Sequence, residues 1–519
     1  MRVGKGFLLR AALSLCALLA VHPGSARAQG ADQPVWPTKE WLTSTPEEEG
    51  MDSAALAKLV AYGAGHDFDS LLVVRHGRIV AEAYYAPYTG NLQHEIFSST
   101  KAVIATLIGI TLKDGLLDRL DHPMLDFFPD RQVANVDDRK KAITVQNLLD
   151  MTSGLDWKQG FQGEPEITPH EMYRSGNWTQ FILDRPMAHA PGELFYYNNG
   201  NPDLVSAIIT RLTGKLAEDY AREKLFEPLG IVDWHWQREP EGITTGDGML
   251  ALLPRDMAKF GYLYLHHGQW EGKQLLPPGW ADVLSHTLVN MHESRDPNQS
   301  YSNFMWVYPD KRAFQANGLN GQLITVFPDL DVVAVTTARE YVNRTNLIDT
   351  VAAAAKSDAA LPPNPDAAEA LANAIKDAAV EKATAVGPTP ELASAISGKT
   401  YQFPSNDIGL KSLTLYLTGP DPHLEYELSL PNSARFDAPI GLDGHFRKGL
   451  PTLIGVNPGH IPALKGNWQD GQTFEIDSED IGQGRKIKYR FSFDGTKLHF
   501  RLAPEHEPEM SVDGEQAGN

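Results

Sequence analysis

The hydrophobic pattern changes character several times along the chain. Residues 53–64 repeat apolar positions at helical spacing and predict a short helix. Two apolar, β-branched runs follow, Leu71-Leu72-Val73-Val74 and Ile79-Val80-Ala81-Glu82-Ala83-Tyr84, separated by His76-Gly77. They predict a hairpin with its turn at that pair. From Ala102 to Ile110 the apolar positions return to helical spacing, in a helix that opens at Ser98 and ends at Gly115. Residues 116–130 read as loop and short helix, and 143–149 as a further helix closed by Met151-Thr152-Ser153-Gly154-Leu155. To about residue 294 the period is mainly helical and broken by Gly and Pro, as at 204–212 and 254–267. Strand patterns come back at 304–308, 322–327 and 332–337, and a helix over 346–356 closes the region. Strands at both ends and helices between them predict an α+β domain. Its antiparallel sheet would be assembled from the two ends of the segment, with a helical region inserted.

From residue 357 the composition shifts to Ala, Pro, Asp and Glu, as in Leu361-Pro362-Pro363-Asn364-Pro365. This predicts a linker over 357–394 carrying a surface helix at about 367–385. Residues 395–503 alternate in short runs (411–417, 424–430, 473–476, 487–493, 498–502), with a hairpin turn at Phe493-Asp494-Gly495-Thr496. A small all-β, barrel-like domain is expected there, followed by a disordered acidic tail over 504–519.

The first 28 residues read as an export signal rather than as structure. Arg2, Lys5 and Arg10 precede an apolar run from 11 to 21, and Ala26-Arg27-Ala28 supplies a small-residue cleavage site. The first folded domain would then occupy 29–356. The run is too short to span a bilayer, and no later segment is long and apolar enough. The expectation is an exported, periplasmic or extracellular protein with no membrane insertion. The single cysteine, Cys16, lies in that signal, behind Leu15 where a lipoprotein signal needs a small residue. The mature chain would hold together by packing without disulfides. The formal charge is -20, and the signal holds four of the basic residues, so the mature chain is more acidic still. That excludes nucleic acid and anionic membranes as partners.

The candidate chemistry centres on Ser98 and Lys101, spaced S-x-x-K at the predicted helix start. Residues three apart share one face of the first turn. Unpaired N–H groups and the positive end of the helix dipole are found there. A serine so placed can attack a carbonyl while its own N–H holds the oxyanion, and a lysine, where part of it is neutral, can take the hydroxyl proton. Alone, the tetrapeptide is equally a Ser N-cap followed by a solvated lysine. A second proton handler is offered by Tyr197, with Asn199 two residues on, in Pro191-Gly192-Glu193-Leu194-Phe195-Tyr196-Tyr197-Asn198-Asn199. Tyr196-Tyr197-Asn198 competes in the neighbouring register, and packing tyrosines beside a Pro-Gly turn are the plainer alternative. Asn317-Gly318-Leu319-Asn320-Gly321-Gln322, at the start of a predicted strand, could bring a second oxyanion N–H up to the serine or could be an ordinary hairpin turn.

Taken in order, these pieces resemble the class C β-lactamase-like, penicillin-binding-protein-like serine hydrolases. Thr152-Ser153-Gly154-Leu155, Pro191-Gly192 with Phe195, Tyr197 and Asn199, Arg255-Asp256-Met257-Ala258-Lys259-Phe260-Gly261 and Gly318-x-x-Gly321-Gln322 are similar to that family's recurrent segments, over about residues 51–353. Phe195 selects Tyr197 over Tyr196. The family's K-T-G, whose lysine helps bind a substrate carboxylate, is replaced by Asn317-Gly318-Leu319. The G-x-x-G-Q form is closer to family VIII carboxylesterases and 6-aminohexanoate-dimer hydrolases, and the C-terminal β region resembles a lipocalin-like domain. The resemblance implies catalysis by Ser98, Lys101 and Tyr197, and an oxyanion hole from the N–H groups of Ser98 and Leu319. Gly318 and Asn199 would line the substrate site. It implies a small ester or amide substrate and no metal or cofactor. The alternatives are a β-lactamase or D-Ala-D-Ala peptidase, and a non-catalytic protein that binds a peptide or cell-wall ligand.

No G-x-S-x-G elbow, Gly-rich phosphate loop or H-E-x-x-H occurs. His266-His267 reads as a surface pair rather than a metal site, and His235 is a candidate for the cleft wall. Nothing in the sequence specifies an oligomeric state.

Overall fold

The computed structural model describes residues 34–160, 165–291, 298–429, 434–450, 461–504 and 508–518. The expected export signal lies outside them. Among them, no helix is long and apolar enough to cross a membrane.

A nine-stranded sheet organises residues 42–338. Its order is Leu42–Thr43, Arg78–Tyr84, Phe68–Arg75, Val332–Ala338, Gln322–Phe327, Ala313–Gly318, Met305–Tyr308, Ser300–Ser302 and Val289–Asn290. All neighbours are antiparallel except the first pair. The central seam joins the two ends of the segment: Val74 pairs with Val333 and Leu72 with Val335. The strands on either side of it are buried along most of their length, which is why they read as continuous apolar runs. The hairpin turns at His76 and Gly77, both left-handed (φ 49° and 73°).

The helix Thr100–Lys113 is buried from Thr100 through Thr111. Such a helix has no solvent face and serves as a central post. It touches the inserted helix Gly200–Thr213 on one side and the strand Ala313–Gly318 on the other. Pro254–Leu265 covers the sheet strands Phe68–Arg75, Gln322–Phe327 and Val332–Ala338. Thus the α+β class and the sheet built from both ends are as expected from the sequence.

Residues 357–394 differ from a free linker. Their helix is Pro365–Ala378, shorter than expected, and it packs on the helix Ser53–Ala64 and the strand Arg78–Tyr84. Leu371 and Ala378 join the core of the domain built on the nine-stranded sheet, because the helix carries an apolar stripe that must be buried somewhere.

The C-terminal strands close into a ring of nine: Ala434–Gly441, His423–Leu428, Leu410–Tyr416, Thr400–Gln402, Met510–Gln516, Lys497–Pro504, Arg485–Asp494, Thr473–Ile481 and Ile461–Trp468. A parallel pairing of Ile440 with Leu464 shuts it. Tyr401, Trp468, Phe474, Phe491, Phe493 and Phe500 fill the interior. The expected disordered tail is corrected here: Met510–Gln516 is a barrel strand between Thr400–Gln402 and Lys497–Pro504. Its alternating Ser511, Val512, Asp513 and Gly514 present one small apolar contact to the core, too little to stand out in an acidic stretch.

Barrel and hydrolase region meet through buried charge. The Arg339 guanidinium, at the end of Val332–Ala338, lies 2.9 Å from Asp69 Oδ1 and also contacts Glu479 of the barrel. It stacks 5.0 Å from the ring of Tyr88, whose hydroxyl donates to Glu479 at 3.3 Å.

Candidate active site

The chain enters the site on the short strand His94–Glu95. Phe97 takes a left-handed backbone (φ 45°), costly for a residue with a Cβ, and so bends the chain into the 3-10 turn Phe97–Ser99. The α-helix proper starts at Thr100. Ser98 therefore stands one turn before Lys101, as the spacing required. Lys101 Nζ donates to Ser98 Oγ at 2.8 Å and to the backbone oxygen of Asp247 at 2.5 Å. The lysine is buried, and its ammonium nitrogen lies 5.2 Å from the centre of the Tyr197 ring.

Ser98, Tyr197, Asn199, Gly318 and Leu319 all line one cleft of about 560 Å³. Tyr196 is turned aside, where its hydroxyl accepts the Gln159 amide at 3.4 Å, so the structure brings the Phe195-defined register to the serine. Asn199 directly precedes the helix Gly200–Thr213, and its Nδ2 donates to the Tyr173 hydroxyl at 3.2 Å. The stretch 317–322 is the hairpin turn that leads into the expected strand Gln322–Phe327: Gly318 pairs with Gln322 across it. Leu319 at its tip is 62% exposed, and Asn320 is left-handed (φ 56°). Gly318 has a steric reason to be glycine, since a Cβ there would sit 2.2 Å from the Ile96 carbonyl oxygen. The turn is thus pressed against the backbone just before Ser98. His235 lies on the strand Trp234–Trp236, outside the lining of this cleft. His266 packs edge-on against Trp36 and Tyr262, and burial lowers its pKa.

The structure adds residues that spacing did not flag. Asp203, wholly buried, accepts the amides of Gly246 (2.6 Å) and Asp247 (3.1 Å). These bonds set the loop whose Asp247 carbonyl receives Lys101. The Asp247 carboxylate accepts the Tyr173 hydroxyl at 2.5 Å. Burial raises the pKa of both acids, and in Asp203 the neighbouring Asp247 adds to the rise. Glu95 also faces the cleft, and burial pushes its carboxyl up to about 7 against the pull of Arg485. Asp247 acts on Lys101 through a backbone oxygen, which any residue type could supply, so no motif marks it.

A Ser–Lys pair with its lysine buried, beneath a Gly-containing strand turn, on an antiparallel sheet with an inserted helical region, defines the β-lactamase and penicillin-binding-protein fold class. The family model described as Beta-lactamase matches residues 56–358, and the chain belongs to that family. The chain is similar to a 6-aminohexanoate-dimer hydrolase of Paenarthrobacter ureafaciens, 23% identical over 287 residues that span 51% of this chain and 71% of that protein. It is also similar to protein flp of Staphylococcus aureus (strain MW2), 27% identical over 168 residues, 31% of this chain and 33% of that one. Among solved structures it resembles an octameric penicillin-binding protein homologue from Pyrococcus abyssi. That match has a TM-score of 0.46 and 17% identity, over 89% of this chain and all of the other. The protein is accordingly a β-lactamase-fold hydrolase.

Proposed function

We propose that this chain is an exported serine hydrolase that cleaves a small ester or amide through an acyl-enzyme on Ser98. The observation that carries the reading is the 2.8 Å contact between Ser98 Oγ and buried Lys101 Nζ, beside Tyr197. In this reading Lys101, in its neutral form, accepts the Ser98 proton as Oγ attacks the carbonyl. The N–H groups of Ser98 and Leu319 hold the oxyanion. Tyr197 passes the proton to the leaving alcohol or amine. A water molecule, deprotonated by the same pair, then releases the acyl group. The family resemblance and the similarity to a 6-aminohexanoate-dimer hydrolase support the ester or amide class, and Asn317 in place of a lysine weighs against β-lactams and D-Ala-D-Ala peptides.

The test uses purified protein with a p-nitrophenyl ester, nitrocefin, a D-Ala-D-Ala peptide and a linear aminohexanoate dimer. Ser98→Ala should lower turnover by at least roughly 10³-fold, and Lys101→Ala by a comparable factor in kcat. A fluorophosphonate should label Ser98. Unchanged activity in Ser98→Ala would overturn the mechanism. Fast nitrocefin turnover would instead assign the β-lactamase reading. Silence on all four substrates without labelling would point to a binding protein.

A further inference from the structure

The strands Thr473–Ile481 and Arg485–Asp494 belong to the barrel, yet the turn between them is built into the hydrolase cleft. The Gly482 carbonyl accepts the Glu95 amide at 2.7 Å, and the Gly484 carbonyl accepts Asn320 Nδ2 at 2.9 Å. One anchor lies three residues before Ser98 and the other lies next to Leu319. The approach leaves no room for side chains: a Cβ on Gly482 would fall 2.2 Å from the Gln93 carbonyl oxygen. Just beyond, Lys486 Nζ donates to Asp67 Oδ2 at 2.8 Å and to Glu340 Oε1 at 3.0 Å. Arg485 stands between these fixed points and lines the same cleft as Ser98.

Arg344 and Arg485 are the Lys and Arg side chains among the described residues that line the cleft, and Lys101 is buried behind Ser98. Lys101 is engaged with Ser98 and Asp247. Arg344 lies over the rings of Trp306 and Tyr341, 5.0 and 5.3 Å away. Arg485 is exposed to the cleft, and its guanidinium makes no hydrogen bond among the described residues; the buried Glu95 carboxyl is the group its charge acts on. A guanidinium carried on an anchored backbone turn, with its N–H donors open to the cleft, is matched in shape and charge by a carboxylate, which accepts two parallel N–H bonds.

We propose that Arg485 is a specificity-determining residue, whose guanidinium holds a carboxylate on a substrate that presents its scissile carbonyl to Ser98. The barrel is then one wall of the substrate site rather than an appended module. The proposal rests on the reading of Ser98 as nucleophile given above.

The experiment compares kcat/KM for p-nitrophenyl hydrogen glutarate and for the neutral p-nitrophenyl valerate, in the full-length protein and its variants. The wild type should favour the glutarate ester. In Arg485→Ala the glutarate-to-valerate ratio should fall about tenfold or more, mainly through KM, as expected for a lost charge-assisted bond. Arg485→Lys should recover part of it. Arg435→Ala, which removes an exposed barrel arginine outside the cleft lining, should leave the ratio unchanged. A ratio unaltered by Arg485→Ala, or equal losses on both esters, would overturn the proposal, the latter assigning Arg485 a structural role. Fluorophosphonate labelling separates the two readings, because a labelled Ser98 with an unaltered ratio defeats this inference alone. If Ser98 is not labelled, calorimetric titration with glutarate decides: heat that vanishes in Arg485→Ala supports the carboxylate site, and equal or no heat overturns it.

Discussion

Glu95 concentrates the electrostatic tension of the site in one side chain. It is buried beside the nucleophile turn, with Asp247 and Asp480 near it and Arg485 as the opposing charge. Its carboxyl titrates near 7 in the fold, against an ordinary value of 4.5. A raised carboxyl contributes its full stability at pH below about 4.5. That contribution is lost as pH rises to 7, because the unfolded chain ionises first. Glu95→Gln removes the titration. Relative to wild type, the variant should therefore gain roughly 2–3 kcal/mol between pH 5 and pH 8, read from urea unfolding at the two pH values. A difference that does not change with pH would show that Glu95 is not held in this way. Asp203 and Asp247 each tie one carboxyl oxygen, Asp203 Oδ1 to two amides and Asp247 Oδ2 to the Tyr173 hydroxyl, and so shape the loop that meets Lys101.

At the level of elements, the turn at Gly318 makes the sharpest prediction. Gly318→Ala places a methyl group 2.2 Å from the Ile96 carbonyl, and backbone rather than a flexible side chain must yield. The turn should move off the serine. The expected result is a stability loss of roughly 1–3 kcal/mol and a fall of about 10²-fold or more in acylation rate, measured as the rate of fluorophosphonate labelling. Normal labelling would mean that the turn takes no part in the reaction.

This turn also shows what a sequence reader can see. Long apolar runs such as Val332–Ala338 and the periodic helix Thr100–Lys113 announce themselves, because burial on both faces demands apolar side chains throughout. Ser98 with Lys101 and Phe195 with Tyr197 were legible because helix pitch or a fixed loop register links their positions. The strand Ala313–Gly318, which leads into the turn, was not legible because it mixes Gln315 and Asn317 into its run. Asp247, Tyr173 and Arg485 were not legible. They reach the site through tertiary contacts across long stretches of chain, and none falls in a spacing that local geometry imposes. The strand Met510–Gln516 was hidden for a related reason: its pairing partners lie elsewhere in the barrel, and its composition is that of a tail.

For the whole molecule, the junction at Arg339 decides whether hydrolase region and barrel behave as one body. Arg339 is buried among Asp69, Asp67 and Glu479, and burial raises the pKa of Glu479. Arg339→Ala leaves the Asp69 and Glu479 carboxylates facing each other with no cation between them. A loss of roughly 3–5 kcal/mol is expected, smaller in acid, where the raised Glu479 carboxyl is protonated, and partly restored by Arg339→Lys. Thermal unfolding followed at pH 5 and pH 8 measures it, and a loss within about 1 kcal/mol would be that of an ordinary surface pair. The barrel itself closes only when Met510–Gln516 slots beside Thr400–Gln402. Its ring has no earlier stopping point, so a growing chain on the ribosome can complete the sheet around Ser98 long before it can form the barrel. The wall that carries Arg485 therefore arrives after the sheet that carries Ser98, and the cleft is completed by a later-made part of the chain than the one that supplies its nucleophile.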